Sequence, residues 1–444
     1  MIEKLNRFFS LKANGTNIRT EILAGITTFV AAMYIIVVNP AILSQAGLSF
    51  SAVLTATVIL SAFCSIMMGL YANNPILVAP GMGLNAFFTF TVVLGMKVPV
   101  ETAFGAVFWA GVFFFVLSVF NVRTYIVKVI PKQIRYAISA GIGLFITLIG
   151  FTNAKFIVSK GSAILGMAHL DIIVVTFLVG LVITSILLVK NIKGALIIGI
   201  VITTVLSIPI GRFYGDASGI NFGTSTLVSW KGFISAPDFS LLGKLDLVGS
   251  LKWSIFPVIF AILFTDMFDS LSTFVGVAEA SNLVDGEGEP RNIKQSLVVD
   301  SIATGFAGFL GTSSGTAYIE SAAGVQQGGR TGLTAVVAGM LFLPFMFFSP
   351  LLSVVPSIAT APALVLVGVF MLKPVLKINW AELDDAIPAF LAMVLIPFTF
   401  SITQGIVWGF LSWTVIKVFV GKYREISATL IIIDILSILL LVSG

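Results

Sequence analysis

Four carboxylates stand inside apolar stretches of this chain, and they are the side chains best placed to do chemistry. Asp266 and Asp269 occur in FTDMFDSLSTF, three residues apart, so on a helix they share a face with Thr273. Asp300 lies in the next apolar segment and Glu320 in the polar one after it. A charged side chain at the centre of a membrane helix costs about 2.5–3.5 kcal/mol on insertion scales. Four of them call for a wet cavity, hydrogen-bonding partners or protonation. A carboxyl group in a dry surrounding holds its proton more readily, and an acid protonated at neutral pH is what proton coupling requires. Each acid also has a plainer use. A membrane Asp can cap a broken helix or bond Ser and Thr on a neighbour, and Asp269 and Asp300 could simply hold the surrounding helices in place.

Two polar interruptions must position these groups. Residues 311–333, GTSSGTAYIESAAGVQQGGRTGL, carry Glu320 and are rich in Gly, Ser, Thr and Ala between two strongly apolar segments. Irregular backbone facing lipid leaves N–H and C=O groups unsatisfied at several kcal/mol each, so it is tolerated only inside protein or along a cavity. A broken helix around a binding site is the reading that follows. Residues 73–91, NNPILVAPGMGLNAFFTFT, form the second interruption, with Pro75, Pro80, Gly81 and Gly83 ahead of a short helix expected to begin near Leu84. Gly81, Gly83 and Gly315 are the expected backbone breaks, and Thr316 is a candidate substrate contact. Asn85 could be a substrate ligand or a helix N-cap. Phe87, Phe88 and Phe274 are candidates for stacking on a flat ring, although any one Phe among 39 has packing or lipid contact as its commoner use.

The bulk composition agrees with a membrane interior. Of 444 residues, 58% are hydrophobic and 10% charged, with mean hydropathy +1.09, against roughly 25% charged residues in soluble domains. Apolar runs of helix-spanning length recur from end to end, whereas a barrel would show alternating segments of roughly 10 residues. The chain reads as an all-α polytopic membrane protein. Spans are expected at 20–38, 51–71, 81–95, 102–120, 134–151, 171–189, 194–210, 253–275, 295–310, 313–325, 332–349, 358–373, 385–401 and 403–420. The last apolar run, 428–442, contains Asp434 and either spans or lies along the interface. The N-terminal 19 residues are polar and basic, and the first apolar run is long enough to remain as a span rather than a cleaved signal.

Basic residues report orientation. Lys4, Arg7, Lys12 and Arg19 precede the first span. Alternate connections then carry Arg123, Lys128, Lys132 and Arg135, then Lys190 and Lys193, Arg291 and Lys294, Arg330, Lys373 and Lys377, and finally Lys417, Lys422 and Arg424. With fourteen spans all of these fall on one side, which is the cytoplasmic one. Lys155, Lys160, Arg212, Lys231 and Lys244 fall on the other and weaken the bias. The net charge of +5 therefore reports topology more than an anionic partner, and no nucleic-acid partner is expected. The interruptions sit in the third and tenth spans. Seven is odd, so equivalent positions in the two halves face opposite ways. Paired broken segments in inverted halves point to a secondary transporter with its site at the bilayer midplane.

Other motifs carry less. Residues 324–331, GVQQGGRT, resemble a phosphate loop with Arg330 in place of its Lys, but that motif needs a preceding strand in an α/β domain. A glycine turn with a cytoplasmic charge is the better reading. Gly305, Gly308 and Gly311 suit close helix packing. One Cys (Cys64) and one His (His169) leave no disulfide and no Cys/His metal site, so no metal or other cofactor is expected beyond a coupling proton, with sodium the other possible coupling ion.

APGMGLNAFFTF, FTDMFDSLSTFVG and above all GTSSGTAYIESAAGVQQGGRTGLTA resemble the adenine/guanine/hypoxanthine permease branch of the nucleobase–cation symporter-2 family, also called nucleobase/ascorbate transporters. The likeness covers nearly the whole chain, from NGTNIRTEILAGITTFVAAMYIIVVNP onward. It implies a uracil-permease-type fold, with fourteen transmembrane segments as 7+7 inverted repeats and short strands in spans 3 and 10. Residues 1–122 (spans 1–4) and 251–349 (spans 8–11) would form a core domain. Residues 123–250 (spans 5–7 and the outer loop) and 350–444 (spans 12–14 and the C-terminal segment) would form a gate. The resemblance further implies that Asp266 and Glu320 hydrogen-bond a purine, that Asn85 contributes from the third span, and that Asp269 and Asp300 tune the site or couple it to protons, as Glu320 could too. It implies proton symport into the cell across the cytoplasmic membrane, and commonly a homodimer.

Physical chemistry is consistent with that substrate. A purine is flat and mostly uncharged, with N–H donors along its edge, and charge-assisted hydrogen bonds to carboxylates are roughly twice as strong as neutral ones. A nucleotide would want Arg or Lys at the core, and the expected membrane interior has none near the breaks. An anion transporter or channel of the same architecture would also prefer basic residues at that point. An integral membrane enzyme would want a nucleophile–base pair or metal ligands, neither of which clusters here.

Overall fold

The computed structural model describes residues 2–120, 131–160, 163–213, 232–281, 283–284, 290–427, 430–431, 433–435 and 437–438. Arg123, Lys128 and Lys231 lie outside the described residues. The described chain is mainly helical. Eight helices are long and apolar enough to cross a membrane, and three shorter apolar helices (Met82–Gly95, Ala195–Ile208 and Gly332–Phe347) accompany them.

In chain order, α1 (Ile18–Ala32) starts at Asn17, whose side chain accepts from the Thr20 N–H. It is interrupted at Met33–Tyr34, and α2 (Ile35–Leu43) and α3 (Phe50–Tyr71) follow. A three-residue strand, β1 (Val78–Pro80), leads into α4 (Met82–Ala86), which continues through π-helical turns over Phe87–Gly95. After it come α5 (Val100–Val119) and α6 (Lys132–Asn153). A hairpin of β2 (Ile157–Lys160) and β3 (Ala163–Met167) precedes α7 (Ile172–Val189) and α8 (Ala195–Phe213). The second half has α9 (Phe256–Ser281) and α10 (Ile293–Leu310), the strand β4 (Gly315–Ala317), and α11 (Ser321–Gln326). It closes with α12 (Gly332–Phe342), α13 (Ser357–Leu372), α14 (Leu383–Thr399) and α15 (Ile402–Phe419).

Packing falls into two sets. One joins α1, α3, α5, α10, α11 and α12, with α5 against α10 and α3 against α12; the other joins α6, α7, α8, α13, α14 and α15. Backbones meet closely inside the first set. A Cβ on Gly111 of α5 would stand 2.1 Å from the Gly305 nitrogen of α10, so the small residue there sets the helix separation. Gly311 differs from the packing use expected of it: with φ +85 it terminates α10 in a left-handed conformation. Two elements had no sequence signal: the β2–β3 hairpin, and the interruption of the first apolar run at Tyr34. In the last apolar run the described residues are helical, and Leu430, Ile433 and Ser437 are buried.

A candidate ligand site at the crossing of two strands

The two interruptions meet. β1 and β4 pair antiparallel, with Val78 opposite Ala317, Ala79 opposite Thr316 and Pro80 opposite Gly315. The ladder extends beyond the strands: the Gly81 N–H donates to the Ser314 carbonyl (2.9 Å) and the Tyr318 N–H to the Leu77 carbonyl (2.9 Å). All six strand residues are buried. The pairing answers the physical problem set by Pro75, Pro80 and the glycines, since extended backbone inside a protein must find partners. Each broken segment supplies them for the other.

Gly81 and Gly315 allow the approach. A Cβ on Gly81 would lie 2.6 Å from the Thr316 methyl, and one on Gly315 would lie 3.0 Å from Ala303. Gly83 is not at the break. The helix begins at Met82, two residues before the expected Leu84, and Gly83 lies inside it, where a Cβ would stand 2.3 Å from Ile142 of α6. Gly81 is the residue at the N-cap position, so Asn85 is not a cap. Its N–H already bonds the Gly81 carbonyl (2.8 Å), and its fully buried side chain accepts a hydrogen bond from the Ser313 hydroxyl.

The carboxylates surround this crossing. Asp266 on α9 is fully buried and accepts from the Ser314 hydroxyl (2.9 Å) and from the Thr304 hydroxyl of α10. Its other oxygen, Oδ1, has no hydrogen-bond partner among the described residues. Thr316 shares a hydrogen bond with Ser270 (2.8 Å), whose hydroxyl also accepts from the Ala317 N–H (3.3 Å). Asp269 is half-buried and lies about one turn beyond Asp266 on α9. Glu320 sits at the N-cap position of α11, and its carboxylate accepts from the Tyr34 hydroxyl (2.6 Å). Asp300 is fully buried on α10, and its carbonyl accepts from Thr304 (3.2 Å).

Asp266, Asp269, Glu320, Asn85 and Thr316 are therefore brought together around one crossing. The three rings are all buried. Phe88 stacks on Phe104 at 5.2 Å and 19°, a packing contact, while Phe87 begins the π-helical segment and Phe274 lies two turns beyond Asp266 on α9. Tyr34, Ser270, Thr304, Ser313 and Ser314 complete the polar lining and were not singled out from sequence. The two serines stood in the glycine-rich stretch, and Tyr34 is a hydroxyl in an otherwise apolar run. Among the described residues no cluster of metal-binding side chains occurs.

The described chain is thus a helical membrane architecture with a strand crossing and buried acids at its heart. The sequence profile of the Permease family (Xan_ur_permease) matches residues 19–408, and the chain belongs to that family. Among its relatives, adenine permease AdeP of Escherichia coli strain K12 is 43% identical over 441 residues, covering 99% of this chain and 96% of that protein. Guanine/hypoxanthine permease PbuO of Bacillus subtilis strain 168 is 41% identical over 444 residues, covering 96% and 98%. These relatives are named transporters, and the chain is a multi-pass membrane permease rather than an enzyme. Among solved structures, the transmembrane domain of the cyanobacterial bicarbonate transporter BicA superposes with a TM-score of 0.66 at 17% identity, over 88% of this chain and 97% of that one. SLC26A9 gives 0.63 at 12% identity, over 90% and 65%. At such identities the likeness concerns the fold alone.

Proposed function

We propose that this permease imports purine nucleobases of the adenine, guanine and hypoxanthine class across the cytoplasmic membrane by proton symport. The observation that carries the reading is the β1–β4 crossing. It is flanked by Asp266, with one oxygen held by Ser314 and Thr304 and the other unpartnered, and by Glu320 and Asn85. Acceptors of this kind match the N–H edge of a purine, and hydrogen bonds to a charged group contribute about 1.5–3 kcal/mol each. The names of the relatives, adenine permease and guanine/hypoxanthine permease, support the same substrate class. An anion at this point would meet carboxylates, which disfavours anion transport despite the shared fold.

In this reading Asp266, Glu320, Asn85 and Thr316 contact the base, Phe87 and Phe274 pack beside the ring, and Asp269, Asp300 and Glu320 handle the coupling proton, with sodium the alternative ion. The chain crosses the membrane fourteen times as 7+7 inverted repeats, with its N-terminus in the cytoplasm. The two packing sets support a core of residues 1–122 and 251–349 and a gate of 123–250 and 350–444. Transport proceeds by alternating access as the core shifts against the gate, in a protein that works as a homodimer among membrane lipids.

Uptake of radiolabelled adenine, guanine and hypoxanthine into cells lacking their own purine transport tests this. Uptake of at least one base, abolished by a protonophore, is expected. Uptake no greater than in cells carrying an empty vector would refute it, and purine uptake that survives the protonophore but needs sodium would replace the coupling ion.

A further inference from the structure

The first apolar run contributes a side chain to the crossing that no motif announces. α1 stops at Ala32 and α2 resumes at Ile35, and Tyr34 lies in the interruption with 1% of its surface exposed. Its hydroxyl donates to Glu320 Oε1 at 2.6 Å, across 286 residues of sequence. A phenol has a single O–H to donate, and here that donor is spent on the carboxylate.

Glu320 needs such a partner. It stands at the N-cap of a six-residue helix, and its side chain makes no capping bond to that helix. A long carboxylate side chain in that position samples several rotamers unless a donor holds it. The second phenol at this place cannot serve, because the Tyr318 hydroxyl donates to the Pro80 carbonyl (2.5 Å). Tyr34 is thus the group that fixes Glu320 beside the strand crossing.

We propose that Tyr34 is a positioning residue for purine binding: by donating to Glu320 Oε1 it commits that oxygen and orients the carboxylate's remaining lone pairs toward the N–H edge of the base. This rests on the reading of the crossing as a purine site. It adds a third broken segment to the two that form the ladder, so the site is assembled from the first, third and tenth apolar runs together with α9. Preorganisation of this kind lowers the cost of binding without adding a contact to the ligand.

The test is initial-rate purine uptake by full-length Tyr34→Phe in cells, with membrane abundance and the thermal midpoint of the purified protein as folding controls. The substitution removes one oxygen and leaves the ring. The expected result is a KM raised about tenfold, which corresponds to about 1.4 kcal/mol, with the maximal rate per transporter within about twofold of the original. Tyr34→Leu, which also lacks the donor, should raise KM by at least as much, and it decides the matter if the Phe variant does not accumulate. An unchanged KM in either variant, or a fall in maximal rate alone, would overturn the proposal. Absence of purine uptake by the unsubstituted protein would instead refute the substrate reading.

Discussion

The acids at the strand crossing and the acids gathered around buried Lys417 at the α14–α15 hairpin are held by different chemistry. At the hairpin, Lys417, with 1% of its side chain exposed, pairs with Asp384 (2.8 Å), Asp385 (3.0 Å) and Glu425 (2.8 Å), and Lys422 pairs with Asp384 (2.7 Å) and Glu382 (3.3 Å). The Trp413 indole N–H donates to Asp385 as well (3.1 Å). Asp384 and Asp385 open α14 and Lys417 closes α15, so the helix dipoles favour both signs of charge where they stand. At the crossing, Asp266 and Glu320 take their hydrogen bonds from neutral hydroxyls: Ser314, Thr304 and Tyr34. An ion-paired acid has spent its charge on structure. One held only by hydroxyls keeps its charge and its acceptor capacity for a ligand or a proton.

That contrast is most strongly tested by removing the acids. Asp266→Ala and Glu320→Ala should each lower purine uptake about 10- to 150-fold, with membrane abundance unchanged, because each loses a charge-assisted contact. Quantitative immunoblotting beside uptake separates the two effects. Lys417→Met should show the opposite signature. Breaking a buried ion pair from one side costs roughly 3–5 kcal/mol, and the partial exposure of its partners reduces this to a fall of several degrees in the thermal midpoint. The purine KM should stay within about twofold. A Lys417 variant that lost purine affinity at full stability would erase the distinction between the clusters.

Smaller effects sharpen the comparison. Gly81→Val places carbon atoms where the Thr316 methyl stands, which should part the strands at a cost of about 1–3 kcal/mol and raise KM together with a lowered midpoint. Lys193→Ala should do least. Its ammonium donates to Gln327 (2.6 Å) and Thr27 (3.4 Å), joining the α7–α8 turn to α11 and α1. An exposed contact of that type contributes under about 1 kcal/mol, so the midpoint should not move and uptake should change less than threefold.

Much of this site was legible in the sequence, and the reason is dielectric. Gly, Pro, Ser and acid residues are so costly in hydrocarbon that 73–91 and 311–333 stand out, and such costly groups mark a site. That they carry short strands was an implication of the family resemblance, and their pairing as β1 and β4 gives the extended backbone its partners. What stayed hidden has an equally physical cause. Facing lipid and facing a protein core both select apolar side chains, so nothing in the sequence separated Phe88, which packs on Phe104, from Phe87 or Phe274. The same ambiguity concealed the break at Tyr34, where an apolar run continues without Gly or Pro at the interruption itself. Buried Glu21, which accepts from the Arg330 N–H (2.8 Å) and the Thr334 hydroxyl (2.6 Å), was not singled out from the sequence.

A structure determined with adenine, guanine or hypoxanthine bound would test the central claim most directly. The account predicts the base beside the β1–β4 ladder, with its N–H groups within hydrogen-bonding distance of Asp266 Oδ1 and the Glu320 carboxylate. A base bound away from both acids, with the ladder intact, would contradict it.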